Sequence, residues 1–131
     1  MKVVANIRGI DEPREALFLH LLTELRRDKG RRHTPACLRD VSDDLFRRLS
    51  PRFANLHRAA ECRWRNGGVV LRQGGGAAVL IGAKLACDGA HGCAAEGVQV
   101  TGNFGGDGQG YSMHPVPGGW EIRRVGVSWA S

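Results

Sequence analysis

The chain has 131 residues, 42% of them hydrophobic and 24% charged, with a formal net charge of +6 at pH 7. That is enough apolar material for one buried core and too little length for two comfortable domains, and the composition excludes a disordered chain or a coiled coil. No apolar run approaches the roughly 18 to 20 residues that a membrane-spanning helix needs, so membrane insertion is not expected.

In chain order, residues 1–10 place Asn6 and Arg8 where a signal peptide carries an unbroken apolar run, and no cleavage site follows. Either the protein is cytoplasmic with free thiols, or Met1 stands at the head of a processed chain that is periplasmic or secreted. Asp11 reads as an N-cap and Pro13 fits a first helical turn. Leu17, Phe18, Leu21, Leu22 and Leu25 then recur at three- and four-residue spacing until Gly30 offers a C-cap, which predicts an amphipathic helix of about 18 residues. Thr34-Pro35 and Ser50-Pro51 each set a capping side chain before a proline, and Val41, Leu45, Phe46 and Leu49 supply an apolar face. Two short helices, near 35–49 and 51–58, are expected, with Asp43 and Asp44 complementing a helix start.

Strand signals follow. Val69-Val70-Leu71 and Ala77-Ala78-Val79-Leu80-Ile81 flank Gln73-Gly74-Gly75-Gly76 at hairpin spacing, so that glycine run reads as a β-turn. Val98–Thr101, Gly110–His114 and Trp120–Val125 alternate in polarity, and Val127-Ser128-Trp129 lies near the chain end. The cluster Phe104-Gly105-Gly106-Asp107-Gly108-Gln109-Gly110 is read as a turn or bulge, because no helix opens from it and no Gly-Lys-Ser/Thr accompanies it. Glycines interleaved with β-formers suit tight turns and strong sheet curvature. The expected fold is one α+β domain over 1–131, helical and basic over 1–65 and a glycine-rich meander over 66–131. It has an N-terminal long helix and one or two short ones packed on a curved antiparallel sheet of about four to six strands.

Charge is segregated. Residues 1–72 hold sixteen Lys and Arg against nine acids, whereas residues 73–131 hold three against four. Arg26, Arg27, Lys29, Arg31 and Arg32 cluster at the end of the first helix, Arg47 and Arg48 extend the patch, and Arg52, Arg58, Arg63 and Arg65 continue it beside Trp64. Such a surface suits a protein partner with an acidic face, or phosphates with Trp64 stacking on bases; a merely solvated helical face explains the same charges.

Cys87 and Cys93 are candidates for a disulfide-closed loop, and Cys37 and Cys62 for a second bridge or for buried thiols. Cys87, His91 and Cys93 form a weaker alternative as soft metal ligands, without the paired Cys-x2-Cys spacing of a strong zinc signature. His20, His33, His57, His91 and His114 are scattered, so no catalytic residue is assigned and no cofactor motif is present.

From residue 60 onward, Ala60-Glu61-Cys62, Gly67-Gly68-Val69, Gly108-Gln109-Gly110-Tyr111, Gly119-Trp120-Glu121-Ile122 and Ser128-Trp129-Ala130-Ser131 resemble a loose group of short uncharacterised bacterial proteins, many of them exported. The resemblance covers just over half of the chain and implies a helix on a curved antiparallel sheet, similar to cystatin-like or nuclear-transport-factor-like folds. It implies no catalytic residue, since the group has no established activity. The functional expectation is a small non-enzymatic, inhibitor- or immunity-like binding protein that engages an acidic macromolecule, with homodimerisation open. The alternatives are a nucleic-acid-binding domain using the basic helical face, and a small enzyme or ligand-binding domain. That last reading needs a pocket between helix and sheet, with His114, Asp107 or Glu121 inside it.

Overall fold

The computed structural model describes residues 2–102 and 105–130, and the side chains of all of these except residues 90 and 127–130. The chain opens on strand β1 (Lys2–Arg8), then helix α1 (Pro13–Arg27), β2 (Ala36–Leu38), α2 (Asp43–Leu49) and β3 (Leu56–Arg58). A 3-10 turn, Ala59–Glu61, leads into β4 (Cys62–Arg65) and β5 (Gly68–Leu71). The long strands β6 (Val79–Cys87), β7 (Cys93–Gly102), β8 (Gly105–Val116) and β9 (Gly119–Ala130) complete a mixed α+β fold. The sheet runs β1-β9-β8-β7-β6-β2-β3, with the β4–β5 hairpin attached through β5 to β7. All pairings are antiparallel except those of β2 with β3 and with β6.

The leucine periodicity produces α1, and α1 is buried along Ala16, Leu17, Phe18, Leu21, Leu22 and Leu25 against Val79, Ile81, Met113 and Ile122 of the sheet. Each large side chain so buried contributes about 1.5 to 3 kcal/mol of transfer free energy. Gly97 on β7 lets the helix sit close, because a Cβ there would lie 2.5 Å from Leu21 Cδ2. The helix is shorter than its sequence suggests: Glu12 is the N-cap without a side-chain cap, and Asp28 is the C-cap. Asp11 is used otherwise, its carbonyl accepting from Trp120 Nε1 at 2.9 Å. Gly30 lies in the following turn, where its N–H donates to the Asp28 carboxylate.

Three expectations are corrected. Strand β1, paired with β9, precedes the long helix, and among the described residues the sheet has nine strands rather than four to six. The helices expected near 35–49 and 51–58 are also replaced. Residues 36–38 pair in parallel with both β3 and β6, and that pairing buries Ala36, Cys37 and Leu38, outweighing the local proline signal. Only 43–49 is helical, capped by Ser42 Oγ accepting from the Leu45 N–H at 3.1 Å. After Ser50 the chain turns through Asn55 (φ +62°) into β3. The run at 73–76 does turn the chain, with Val70 bridging Ala77, but most of the 104–110 glycine cluster lies inside β8, where a register shift against β9 falls between Gln109 and Tyr111. Its first residue, Phe104, lies outside the described residues, as does the side chain of Trp129.

Alternation along β2 and β6 sends Ala36, Leu38, Val79 and Ile81 to the helix side, and Cys37, Ala78 and Leu80 to the other. There the β4–β5 hairpin folds over the sheet and encloses a second small core of Cys37, Cys62, Val69 and Ala78. A disulfide joins Cys37 to Cys62 within it, and a second joins Cys87 to Cys93. Among the described residues no helix is long and apolar enough to cross a membrane.

His20 on α1 is 3% exposed, its ring Nε2 has no hydrogen-bond partner among the described residues, and it packs edge-on to Tyr111 with ring centroids 5.4 Å apart. Burial lowers its pKa below the ordinary 6.5; Glu24 opposes that shift, and Arg124 and Arg27 reinforce it. The unfolded chain therefore takes up a proton near pH 6.5 that the folded chain refuses, so stability is complete above 6.5 and falls as pH drops below it. The slope is at most about 1.4 kcal/mol per pH unit. In urea titrations between pH 7.5 and 5, His20→Phe is expected to be markedly flatter than wild type, and parallel curves would refute the assignment.

Candidate functional site

The seven basic residues grouped by sequence are engaged in different ways. Arg26 is a structural clamp: its guanidinium donates to the carbonyls of Arg31 (3.1 Å), Thr34 (2.8 Å) and Ala54 (2.7 Å). Burial lowers its pKa, though a guanidinium stays protonated. Arg31 donates to Gln99 Oε1 at 2.7 Å, and Arg27 lies 3.7 Å from Glu24. Arg47 pairs with Asp44, and Arg48 holds Glu15 at 2.6 Å and Glu12 at 3.0 Å. Glu12 and Glu15 lie at the start of α1, so Arg48 is tied to the opposite end of that helix from Arg26 and Arg27. Of the seven, only Lys29 and Arg32 have no ion-pair or hydrogen-bond partner among the described residues.

Further unpaired charge borders the β4–β5 hairpin. Trp64 on β4 stands opposite Val69 and is 52% exposed, the most exposed large apolar side chain among the described residues. Beside it is a cavity of about 300 Å³ lined by Arg39, Arg63, Trp64, Val69, Leu80 and Val100. Arg39, Arg63 and Arg65 make no ion pair or side-chain hydrogen bond among the described residues. Arg39 follows β2 directly, and its N–H donates to the Ile81 carbonyl at 2.9 Å, so the strand pairing that buries Cys37 also sets Arg39 at this edge. The hairpin is held by Cys37–Cys62 below and by Arg72, whose N–H donates to the Glu61 carbonyl (2.8 Å) and whose Nε donates to the Ala60 carbonyl (2.8 Å). A second cavity of about 520 Å³ opens on the other side of the 3-10 turn, where His57 Nδ1 and Glu61 Oε2 are 2.9 Å apart.

Arg63, Arg65 and Trp64 were visible in the sequence as an extension of the basic run. Arg39 was not: its role depends on a three-residue strand that proline-based helix signals disguise.

The groups named for an interior pocket face away from it. His114 and Ser112 lie on the outer face of β8, with Ser112 Oγ 2.9 Å from His114 Nε2, and Glu121 accepts from Arg123 Nε at 2.6 Å on β9. Asp107 is exposed. No carboxylate reaches the other ring nitrogen of His114 among the described residues, and the helix–sheet interior is filled by Leu17, Phe18, Leu22 and Leu25, each at most 1% exposed. With both sulfurs of Cys87 and Cys93 joined, the oxidised chain has no thiolate to offer a metal beside His91.

No protein-family model matches the chain, and neither a curated protein nor a solved structure matches it significantly.

Proposed function

We propose that the chain is a small binding protein of an oxidising compartment, outside the cytoplasm, that holds an acidic protein partner against its β4–β5 hairpin. The observation that carries this reading is a half-exposed tryptophan beside Arg39 and Arg63 around a partly apolar cavity, with Arg65 two residues further along β4 and none of the three arginines ion-paired among the described residues. Tryptophan and arginine are the residue types that supply most energy at protein interfaces, as an apolar anchor and a planar donor for carboxylates. Two disulfides support an exported setting, where nucleic acid is a scarce partner, and this favours an acidic protein over a phosphate backbone.

Poly-L-glutamate serves as the probe, titrated against the intact oxidised protein at low ionic strength with tryptophan emission as the readout. Saturable binding is expected, weakened about tenfold by Trp64→Ala and by Arg63→Glu with Arg65→Glu, and unchanged by Lys29→Glu with Arg32→Glu. Absence of saturable binding removes the proposal. Tighter binding of a single-stranded oligonucleotide, sensitive to the same substitutions, replaces the protein partner with nucleic acid.

A further inference from the structure

The cavity beside Trp64 is bordered by two kinds of surface. Arg39, which follows β2, and Arg63 of β4 are the charged groups in its lining, and among the described residues no carboxylate lines it. Val69, 4% exposed, and the half-buried Leu80 and Val100 supply an apolar wall. The volume of about 300 Å³ lies at the lower end of small-ligand sites, so the cavity takes a single residue rather than a strand or a helix.

Arg39 is held in place at its base and along its stem. Its N–H donates to the Ile81 carbonyl, and its aliphatic part lies on Gly82 of β6, where a Cβ would stand 3.7 Å from Arg39 Cδ. Asp40 and Glu96 share a neighbouring hollow of about 140 Å³ with Arg39, yet neither forms an ion pair with it among the described residues. A guanidinium stays protonated and presents its N–H groups as a fork that matches a carboxylate. An occupant that satisfies this lining therefore carries negative charge and apolar atoms only a few bonds apart. An internal aspartate or glutamate meets the charge and leaves the apolar wall wet. The last residue of a polypeptide meets both, because an apolar side chain and the α-carboxylate share one Cα.

We infer that this cavity receives the C-terminal residue of the partner chain, with an apolar side chain against Val69, Leu80 and Val100 and the α-carboxylate on the guanidinium of Arg39, assisted by Arg63. The inference rests on the reading of the hairpin as a partner surface and narrows it. Acidic groups elsewhere on the partner meet the exposed Arg63 and Arg65, where they steer the encounter, and the terminal residue makes the specific contact. Removal of water from the apolar wall and from the half-exposed ring of Trp64 favours the seated state, and the carboxylate fixes its orientation.

The test titrates the full oxidised chain with three N-acetylated tripeptides: Gly-Gly-Leu as the free acid, the same peptide as its C-terminal amide, and Gly-Gly-Glu amide, whose carboxylate sits on a side chain. Tryptophan emission and backbone amide shifts in nuclear magnetic resonance are the readouts. Saturable binding of the free acid is expected, with shifts at Arg39, Val69, Leu80 and Val100, and both amides bind about tenfold or more weakly. Arg39→Gln abolishes the preference for the acid over its amide, Arg39→Lys keeps part of it, and an unchanged near-ultraviolet dichroism shows that either variant is folded. Equal affinity for acid and amide, shifts confined to other residues, or an Arg39→Gln variant that still prefers the acid would each overturn the inference. If the free acid fails to bind while poly-L-glutamate still does, the terminal-residue site is lost and the hairpin surface stands; if neither binds, both are lost.

Discussion

Replacing Cys37 and Cys62 together by alanine is expected to cost about 3 to 4 kcal/mol of folding free energy. The bridge closes a separation of 25 residues, and loop closure over that length removes roughly 3.5 kcal/mol of denatured-state entropy on the chain-entropy account. Both sulfurs are also buried in the second core with Val69 and Ala78, so their loss leaves a small void. The Cys87–Cys93 bridge closes six residues at the rim, for which the same account gives about 2 kcal/mol. Urea unfolding of the two double variants measures the difference, and hydrogen exchange adds a local readout. Opening of Cys62–Leu71 amides is expected in the first variant alone. Equal stabilities would mean that the bridge under the hairpin is no more than a decoration of an already stable sheet.

That variant also bears on the proposed surface. Trp64 and Arg63 belong to a strand that touches the rest of the chain through β5, the second core and the disulfide. If the hairpin loosens, the Arg39 side of the cavity separates from the Arg63 side and binding of poly-L-glutamate should weaken even though no charged residue has changed. A preserved affinity would show that Trp64 and the arginines act independently of the pocket they line.

The sequence carried the helix, the meander and the split of charge from glycine because each rests on short-range physics: a 3.6-residue apolar period, alternation, and glycine beside β-formers. It did not carry β1. Its alternation is weak, Lys2 to Arg8 being mostly exposed or half-buried at the sheet edge, and its place is set by β9 more than 110 residues later. Nor did it carry β2, where Pro35 before Ala36-Cys37-Leu38 imitates a helix start while the energy comes from pairing with residues 79–81. The engagement of the basic residues was hidden for the same reason. Clustering along the chain grouped Arg26 with Arg48, but neighbouring backbone carbonyls claim the first and Glu15 the second. Density of charge in sequence does not measure charge left free, and Arg39 became visible only once β2 was placed.

Two adjacent glycines at the β8–β9 turn are expected to respond very differently to the same methyl group. Pro117 and Gly118 make the turn, and Gly118 takes φ +77° with nothing within 4 Å of a Cβ position. Gly118→Ala therefore costs only the left-handed conformation, about 1 to 2 kcal/mol, and Gly118→Asn less. Gly119 has no such φ, but it pairs with Arg8 of β1 and a Cβ would stand 1.9 Å from the Ile7 carbonyl oxygen and 3.0 Å from Arg8 Cα. Those are backbone atoms of a paired strand, so relief requires β1 to move away from β9, and with it goes the Gly9 N–H donation to the Gly118 carbonyl at 2.7 Å. A loss of about 3 kcal/mol is expected for Gly119→Ala, at the upper end for overpacking. The loss should be accompanied by fast exchange of the Val3–Arg8 amides while the α1 amides stay protected. If the two alanine variants unfold at the same urea concentration, β1 is held too loosely to feel the contact, and the first strand contributes little to the sheet it borders.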